Sequence, residues 1–168
     1  KEPKTENPKN NLPIHEVSEK SKDFLGAMSG TVYYLYQEHV HFFQTKYDVW
    51  KVSNDTFRTI LKKNSKTLEH IEVVGFDIKT LLTCCIAQNA HFPKTYFDCG
   101  IAAWITDSTV QGKSIHDVFL HVLFEDEPTD TSDQSAMMPT LYEALQKKIL
   151  SNKLETISSH IEMPLIAV

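Results

Sequence analysis

The chain is 168 residues long, which is enough to bury one hydrophobic core but not two. Its composition, with 41% hydrophobic and 23% charged residues, is typical of a globular protein and excludes a disordered or fibrous chain. The formal net charge of −5, without a long Lys/Arg run, excludes an extended basic surface, so any affinity for nucleic acid has to be local. No apolar stretch reaches the roughly 18 residues of a membrane span and no signal-peptide core is visible, so we expect no membrane association and a cytoplasmic location.

Residues 1–13 are rich in Lys, Glu, Asn and Pro, and they are predicted to form a flexible linker. Aromatic and β-branched residues then dominate three runs, which predicts a short antiparallel meander of strands at 31–37, 40–44 and 48–52. Asp55 is predicted to cap a helix at 55–63, and Gly75 to turn the chain after a strand at 72–74.

Apolar residues at helical spacing predict further helices at 77–87, 98–105, 114–123, 136–150 and from 153 to the end of the chain. Asp98 and Ser114 are predicted to cap two of them. A strand-like step is expected at Phe97, and the acidic segment 125–135 is predicted to be an exposed loop. A small mixed sheet flanked by helices is an α/β architecture.

Three segments, in this order, resemble the 3′–5′ exonuclease domain of family A DNA polymerases of the bacterial DNA polymerase I type. They are 74–82, reading VGFDIKTLL, 97–107, reading FDCGIAAWITD, and 161–168, reading IEMPLIAV. The resemblance implies a ribonuclease H-like exonuclease domain at 14–160. It also implies that 161–168 begins the junction into a polymerase domain.

Active members of that family cleave a 3′-terminal phosphodiester with two divalent ions held by clustered carboxylates. The resemblance places the family's strand Asp-x-Glu pair at Tyr36 to Glu38, so that Tyr36 replaces the Asp and only Glu38 remains. An alternative register leaves neither acid. Leu81 stands at the helix Asp, and Asp77 stands nearby, where a helix cap is favoured over a metal ligand.

The family's late Tyr-x-x-x-Asp motif falls in the segment AMMPTLYEALQKKI, with Met138 at the Asp position. Tyr142 and Glu143 come one turn too late. With three of four carboxylates missing, the resemblance implies an exonuclease-like domain that holds no catalytic, cofactor or metal site. Mg²⁺ is expected only for the parent polymerase.

Other polar groups offer weaker sites. His39 and His41 alternate on a predicted strand and could hold a metal, although exposed strand histidines are commoner. Cys84, Cys85, His91 and Cys99 match no zinc spacing, so buried reduced thiols are favoured over a metal site or a disulfide. His116 and Asp117 point in different directions on a helix and make a poor dyad. Trp50 and Trp104 are predicted to be core residues.

The interpretation favoured by these residues is a catalytically silent domain that supports a polymerase domain in replication and repair. We expect it to be monomeric, to reach DNA through the parent polymerase and to bind DNA weakly or not at all alone. One alternative is a residual metal-dependent proofreading exonuclease built from Glu38, Asp77 and Asp98. Another is an acidic protein-interaction module at 125–133.

Overall fold

The computed structural model describes residues 12–18, 24, 26–66, 68–110, 114–123 and 131–166, apart from the side chains of 131–133 and 161. The strands are β1 (Ile14–Glu16), β2 (Thr31–Gln37), β3 (Val40–Gln44), β4 (Val49–Ser53), β5 (Glu72–Phe76) and β6 (Thr95–Asp98). The helices are α1 (Asn54–Lys63), α2 (Ile78–Ala87), α3 (Cys99–Thr106), α4 (Ile115–Leu123), α5 (Thr131–Ser151), α6 (Glu155–Ile157) and α7 (Met163–Leu165). A 3₁₀ turn lies at Ser108–Val110 and a π-helical segment at Ser158–Glu162.

The six strands form one mixed sheet in the order β1-β4-β3-β2-β5-β6. β2, β3 and β4 pair antiparallel, so the predicted meander is confirmed. β5 joins β2 in parallel, β6 joins β5 in parallel, and β1 pairs in parallel with β4 at the other edge. The predicted α/β architecture is therefore confirmed.

The two faces of the sheet carry different helices, because successive strand residues point to opposite sides. Tyr34 hydrogen-bonds His41, whose ring lies 4.5 Å from the ring of Phe57 in α1. Tyr33 points the other way, and its ring centroid lies 6.4 Å from that of Tyr142 in α5. We call these sides the α1 face and the α5 face.

Two local predictions need correction at their exact residues. Ser53, not Asp55, caps α1, because its side-chain oxygen accepts a hydrogen bond from the backbone N–H of Thr56. Gly75 does not turn the chain but lies within β5, opposite Tyr34. A Cβ atom at Gly75 would lie 2.6 Å from the carbonyl oxygen of Tyr34, so glycine is needed here for a close approach of two strands.

Near both ends of the chain and at the start of α5, the observed elements differ from the predicted ones. β1 was not predicted, and the predicted loop at 125–135 is wrong at 131–135, where α5 has already begun. Residues 125–130, like 1–11 of the predicted linker and 167–168 of the predicted junction, lie outside the described residues. The predicted terminal helix is divided into α6, the π-helical segment and α7.

The core confirms several sequence-based expectations. Leu141, Leu145 and Ile149 form the predicted buried stripe of α5, which Met138 extends by one turn. The three cysteines are buried and free, as predicted. Within the described part of the chain, no helix is both long and apolar enough to cross a membrane.

Candidate functional site

Asp98, at the end of β6, holds the first turns of two helices. Its Oδ2 atom accepts a hydrogen bond from the backbone N–H of Ile78 at 2.8 Å, which caps α2. Its Oδ1 atom accepts from the backbone N–H groups of Gly100 and Ile101 at 2.8 and 3.1 Å, which caps α3 as predicted. Burial raises the pKa of Asp98, while these three hydrogen bonds oppose that shift. Both carboxylate oxygens of Asp98 thus accept hydrogen bonds from the backbone, and the residue has a structural role.

Asp77, immediately before α2, stands at the helix start without capping the backbone. Its φ angle is 56°, and its side chain makes no cap hydrogen bond. Its carboxylate accepts instead from the hydroxyl of Thr80 at 2.7 Å. The prediction of a helix cap was therefore right about position and wrong about bonding, because Asp98 supplies the cap from β6.

Leu81 and Met138, which the resemblance places at ligand positions, are both completely buried. Each has a relative exposure of 0% and belongs to the main hydrophobic cluster. Neither side chain has an atom that can hold Mg²⁺, since that ion takes oxygen ligands.

Tyr36 does not lie on the same side of the sheet as α5. Its ring centroid lies 4.8 Å from that of His41, on the α1 face, and its hydroxyl lies 3.4 Å from Nδ1 of His39. The residues of β2 that face α5 are Tyr33 and Leu35, in the alternation set by the pleat. The structure therefore brings Tyr36 together with neither α5 nor Met138, and Tyr33 and Leu35 are the β2 residues on the side of α5.

The predicted register, from Tyr36 to Glu38, places Glu38 on the strand. The structure ends β2 at Gln37 and places Glu38 and His39 in a two-residue turn, with φ angles of 50° and 67°. A turn of this kind favours Asn-Gly, which the sequence lacks, so the turn left no clear signal.

The apolar surroundings of Leu35 complete the α5 face at the ends of the central strands. Leu35, Phe42 and Val49 form a buried cluster, against which Phe76 and Ile115 pack. Whichever register is used for β2, the strand contributes an apolar or neutral side chain here.

His39 and His41 do not form the alternating pair that the sequence suggested. His39 lies in the turn, while His41 is fully buried on the α1 face. Nε2 of His41 lies 3.2 Å from Oδ1 of Asn54, which can only accept, so Nδ1 accepts from the Tyr34 hydroxyl at 3.0 Å. Burial lowers the pKa of His41 to about 4, the Asn54 hydrogen bond opposes this shift and Arg58 adds to it. His41 is a neutral core residue.

A groove of about 500 Å³ brings Asp77 and Asp98 together beside α3 and α7. Phe76 and Trp104 supply aromatic walls, so Trp104 is not the core residue that was predicted. Trp50 is half-buried against the core, with its ring stacked on that of His15 at 4.5 Å. Glu38 does not line this groove, so the three acids proposed for a residual site are not gathered there.

No protein-family model matches the chain, and no curated protein matches it either. Several solved structures are similar to this chain in fold. NrnC from Brucella melitensis bound to pGG aligns with a TM-score of 0.59 at 12% identity, over 84% of each chain. The catalytic core of RRP6 from Trypanosoma brucei aligns with a TM-score of 0.58 at 13% identity, over 94% of this chain and 52% of that one.

This chain has the ribonuclease H-like 3′–5′ exonuclease fold. The POL domain of Pol1 from M. smegmatis, in complex with DNA primer-template and dNTP, also aligns, with a TM-score of 0.59 at 9% identity. That alignment spans 81% of this chain and 26% of the other. At these identities the likeness concerns the fold alone.

Active members of the family that the sequence resembles hold two metal ions with carboxylates, and the residues at the assigned positions do not fit such a pair. Tyr36, Leu81 and Met138 offer no carboxylate. Among the described residues, no group of three or more His, Cys, Asp or Glu side chains is placed to hold a metal ion.

Proposed function

We propose that the chain is a catalytically silent 3′–5′ exonuclease-like domain of a family A DNA polymerase, with an architectural role beside the polymerase domain. The observation that supports this most directly is the complete burial of Leu81 and Met138, at the two helix positions that the resemblance assigns to metal-binding Asp. In-line displacement at a phosphodiester requires the charge compensation that such carboxylates supply through their metals.

The polymerase part of the proposal is supported by the way the three resembling segments meet. Asp98, in the second segment, accepts from the N–H of Ile78 in the first. The N–H of Asp98 in turn donates to Sδ of Met163, in the third, at 3.3 Å. Asp98 therefore contacts both of the other resembling segments, including the one that would lead into a polymerase domain.

Within this proposal, Mg²⁺ and the main DNA contacts belong to the parent polymerase. The domain itself is monomeric and cytoplasmic, and its task is to support the polymerase domain during replication and repair.

The test is an assay for shortening of a 3′-single-stranded DNA, labelled at its 5′ end, with Mg²⁺ or Mn²⁺. We expect no shortening by the unmodified chain. An active exonuclease with the same fold, assayed in parallel, is the positive control. Shortening that disappears in Glu38→Gln or Asp77→Asn would show the domain to be an active nuclease and would contradict the proposal.

A residual exonuclease is the second candidate, because Asp77 and Asp98 line one groove. The hydrogen bonds of Asp98 count against it, since a ligand role would require α2 and α3 to lose their caps. The assay above distinguishes the two candidates. The acidic interaction module at 125–133 falls almost entirely outside the described residues.

A further inference from the structure

A basic groove of about 700 Å³ runs along the exposed side of α1, on the side of the sheet away from α5. Five of its lining residues come from α1, and the sixth lies just after α2. They are Asp55, Arg58, Thr59, Lys62, Lys63 and Gln88. Three cations and one carboxylate give this groove a positive balance in a chain whose net charge is −5.

The cations of the groove follow the axis of α1. Arg58 and Lys62 are four residues apart and therefore lie one above the other on the same side of the helix. With a rise of about 1.5 Å per residue, the backbone positions from Arg58 to Lys63 span about 7.5 Å. An elongated anion matches a row of cations that are spaced along a helix axis.

Two of these cations have no acidic partner in an ion pair. In the described part of the chain, neither Arg58 nor Lys62 takes part in an ion pair, although Asp55 lines the same groove. Lys62 and Lys63 stand in the last turn of α1, where cations stabilise many helices. Arg58 lies a turn earlier, where the helix dipole gives no reason for a cation.

Arg58 also influences titratable groups on the inner side of α1. Burial raises the pKa of the Cys84 thiol, and a hydrogen bond from Arg58 opposes that shift. The positive charge of Arg58 also contributes to the lowered pKa of His41. Arg58 is itself exposed, so its charge is available to a ligand in the groove.

We propose that this groove binds the sugar-phosphate backbone of a nucleic acid strand. The choice of nucleic acid over an acidic protein segment rests on the proposed function, while the need for an elongated anion rests on the groove itself. Binding through two or three phosphates is weak, depends strongly on salt and carries no sequence preference. None of Asp77, Leu81, Asp98 and Met138 lines this groove, so the proposed binding does not require catalysis.

The test is fluorescence anisotropy of a labelled single-stranded oligonucleotide, in EDTA, between about 50 mM and about 200 mM salt. We expect binding at low salt whose logarithmic slope against salt corresponds to about two or three phosphates. Arg58→Gln with Lys62→Gln is expected to weaken binding by about fivefold or more at low salt. Lys46→Gln with Lys147→Gln removes the same charge elsewhere and is expected to change affinity by less than about twofold.

Lys62→Glu alone is a second variant that leaves the Arg58–Cys84 contact intact, and thermal unfolding checks that each variant is folded. Equal affinities for the groove variant and the control variant would overturn the proposal, as would the absence of binding at low salt. Displacement by polyglutamate as effective as by unlabelled DNA of equal charge would overturn it in favour of an acidic protein partner. Displacement by inorganic phosphate at matched ionic strength would also overturn it, because the groove would then be a site for small anions.

The same samples, supplied with Mg²⁺ and run on a denaturing gel, report separately on the proposed function. Shortening of the strand would contradict the catalytically silent domain and would leave the binding result unaffected. Loss of binding in the groove variant without any shortening agrees with both proposals.

Discussion

The Oδ2 atom of Asp98 lies 2.8 Å from the backbone nitrogen of Ile78, a residue 20 positions earlier in the chain. This hydrogen bond caps α2 from a neighbouring strand, and Oδ1 of the same carboxylate caps α3. Asp98 therefore maintains the fold, whether or not the domain cleaves a nucleic acid.

Asp98→Ala is expected to lower the free energy of unfolding by about 3 kcal/mol, because it leaves three backbone N–H groups without their acceptor. Urea denaturation measures this change. Asp55→Ala, an exposed acid in the first turn of α1, is the matched control and is expected to cost about 0.5 kcal/mol. Similar costs for the two variants would show that Asp98 does not have the structural role described.

Met138→Asp introduces the acid that the resemblance implies at this position. It is expected to destabilise the fold by about 4 kcal/mol or more, because it buries a carboxylate without a partner. Leu150→Asp on the same helix is the control, because Leu150 is 65% exposed. We expect its cost to be within about 1 kcal/mol. A rise in the melting temperature of Met138→Asp on addition of Mg²⁺ would instead indicate that the introduced carboxylate binds the metal ion.

His41 should make the stability depend on pH between its folded pKa of about 4 and its unfolded value near 6.5. In that window the unfolded chain binds a proton that the folded chain does not, so stability falls as the pH falls. We expect a loss of about 2 kcal/mol between about pH 7.5 and about pH 5 from this residue.

Unfolding of the unmodified chain and of His41→Gln, each measured across that range, isolates the contribution of His41. The variant should be less stable near neutral pH, and its stability should depend less steeply on pH than that of the unmodified chain. Equal slopes for the two proteins would mean that His41 is not buried as a neutral group.

The turn between β2 and β3 should be open to improvement, because Glu38 and His39 both adopt the left-handed backbone region that Asn and Gly occupy at lower cost. Glu38→Asn with His39→Gly is expected to stabilise the fold by about 1 kcal/mol, which is about 2–4 °C in melting temperature. Glu38→Gln keeps the conformational cost and should leave the melting temperature unchanged. An unchanged or lower melting temperature for the double variant would show that these residues contribute contacts that outweigh the strain.

The central strands were predictable because each consists of aromatic and β-branched residues between polar breaks. β1 was not, because three residues at a sheet edge carry almost no pattern, and its pairing depends on β4, which lies more than thirty residues later. The start of α5 was missed because its first turn is polar and follows an acidic run. Helix formation there depends on packing against the sheet rather than on local preference.

The sequence predicted apolar side chains at Leu81 and Met138, and the structure buries both in the core; their assignment to metal-ligand positions stays a prediction. The sheet face of Tyr36 could not be read from the sequence, because a shift of one residue moves a strand side chain to the opposite face. No local property of the sequence fixes that choice, because tyrosine and leucine suit either face.

The contact between the N–H of Asp98 and Sδ of Met163 couples residues 65 positions apart. The carboxylate of Asp98 also binds the backbone of Ile78, Gly100 and Ile101. Local opening around Met163 therefore exposes Asp98, whose side chain caps both α2 and α3. Amide hydrogen exchange at these positions should therefore proceed through a shared opening rather than through independent fraying of each helix. Oxidation of Met163 to its sulfoxide would change a soft sulfur acceptor into a polar oxygen at this junction, and its effect should reach the first turns of both helices.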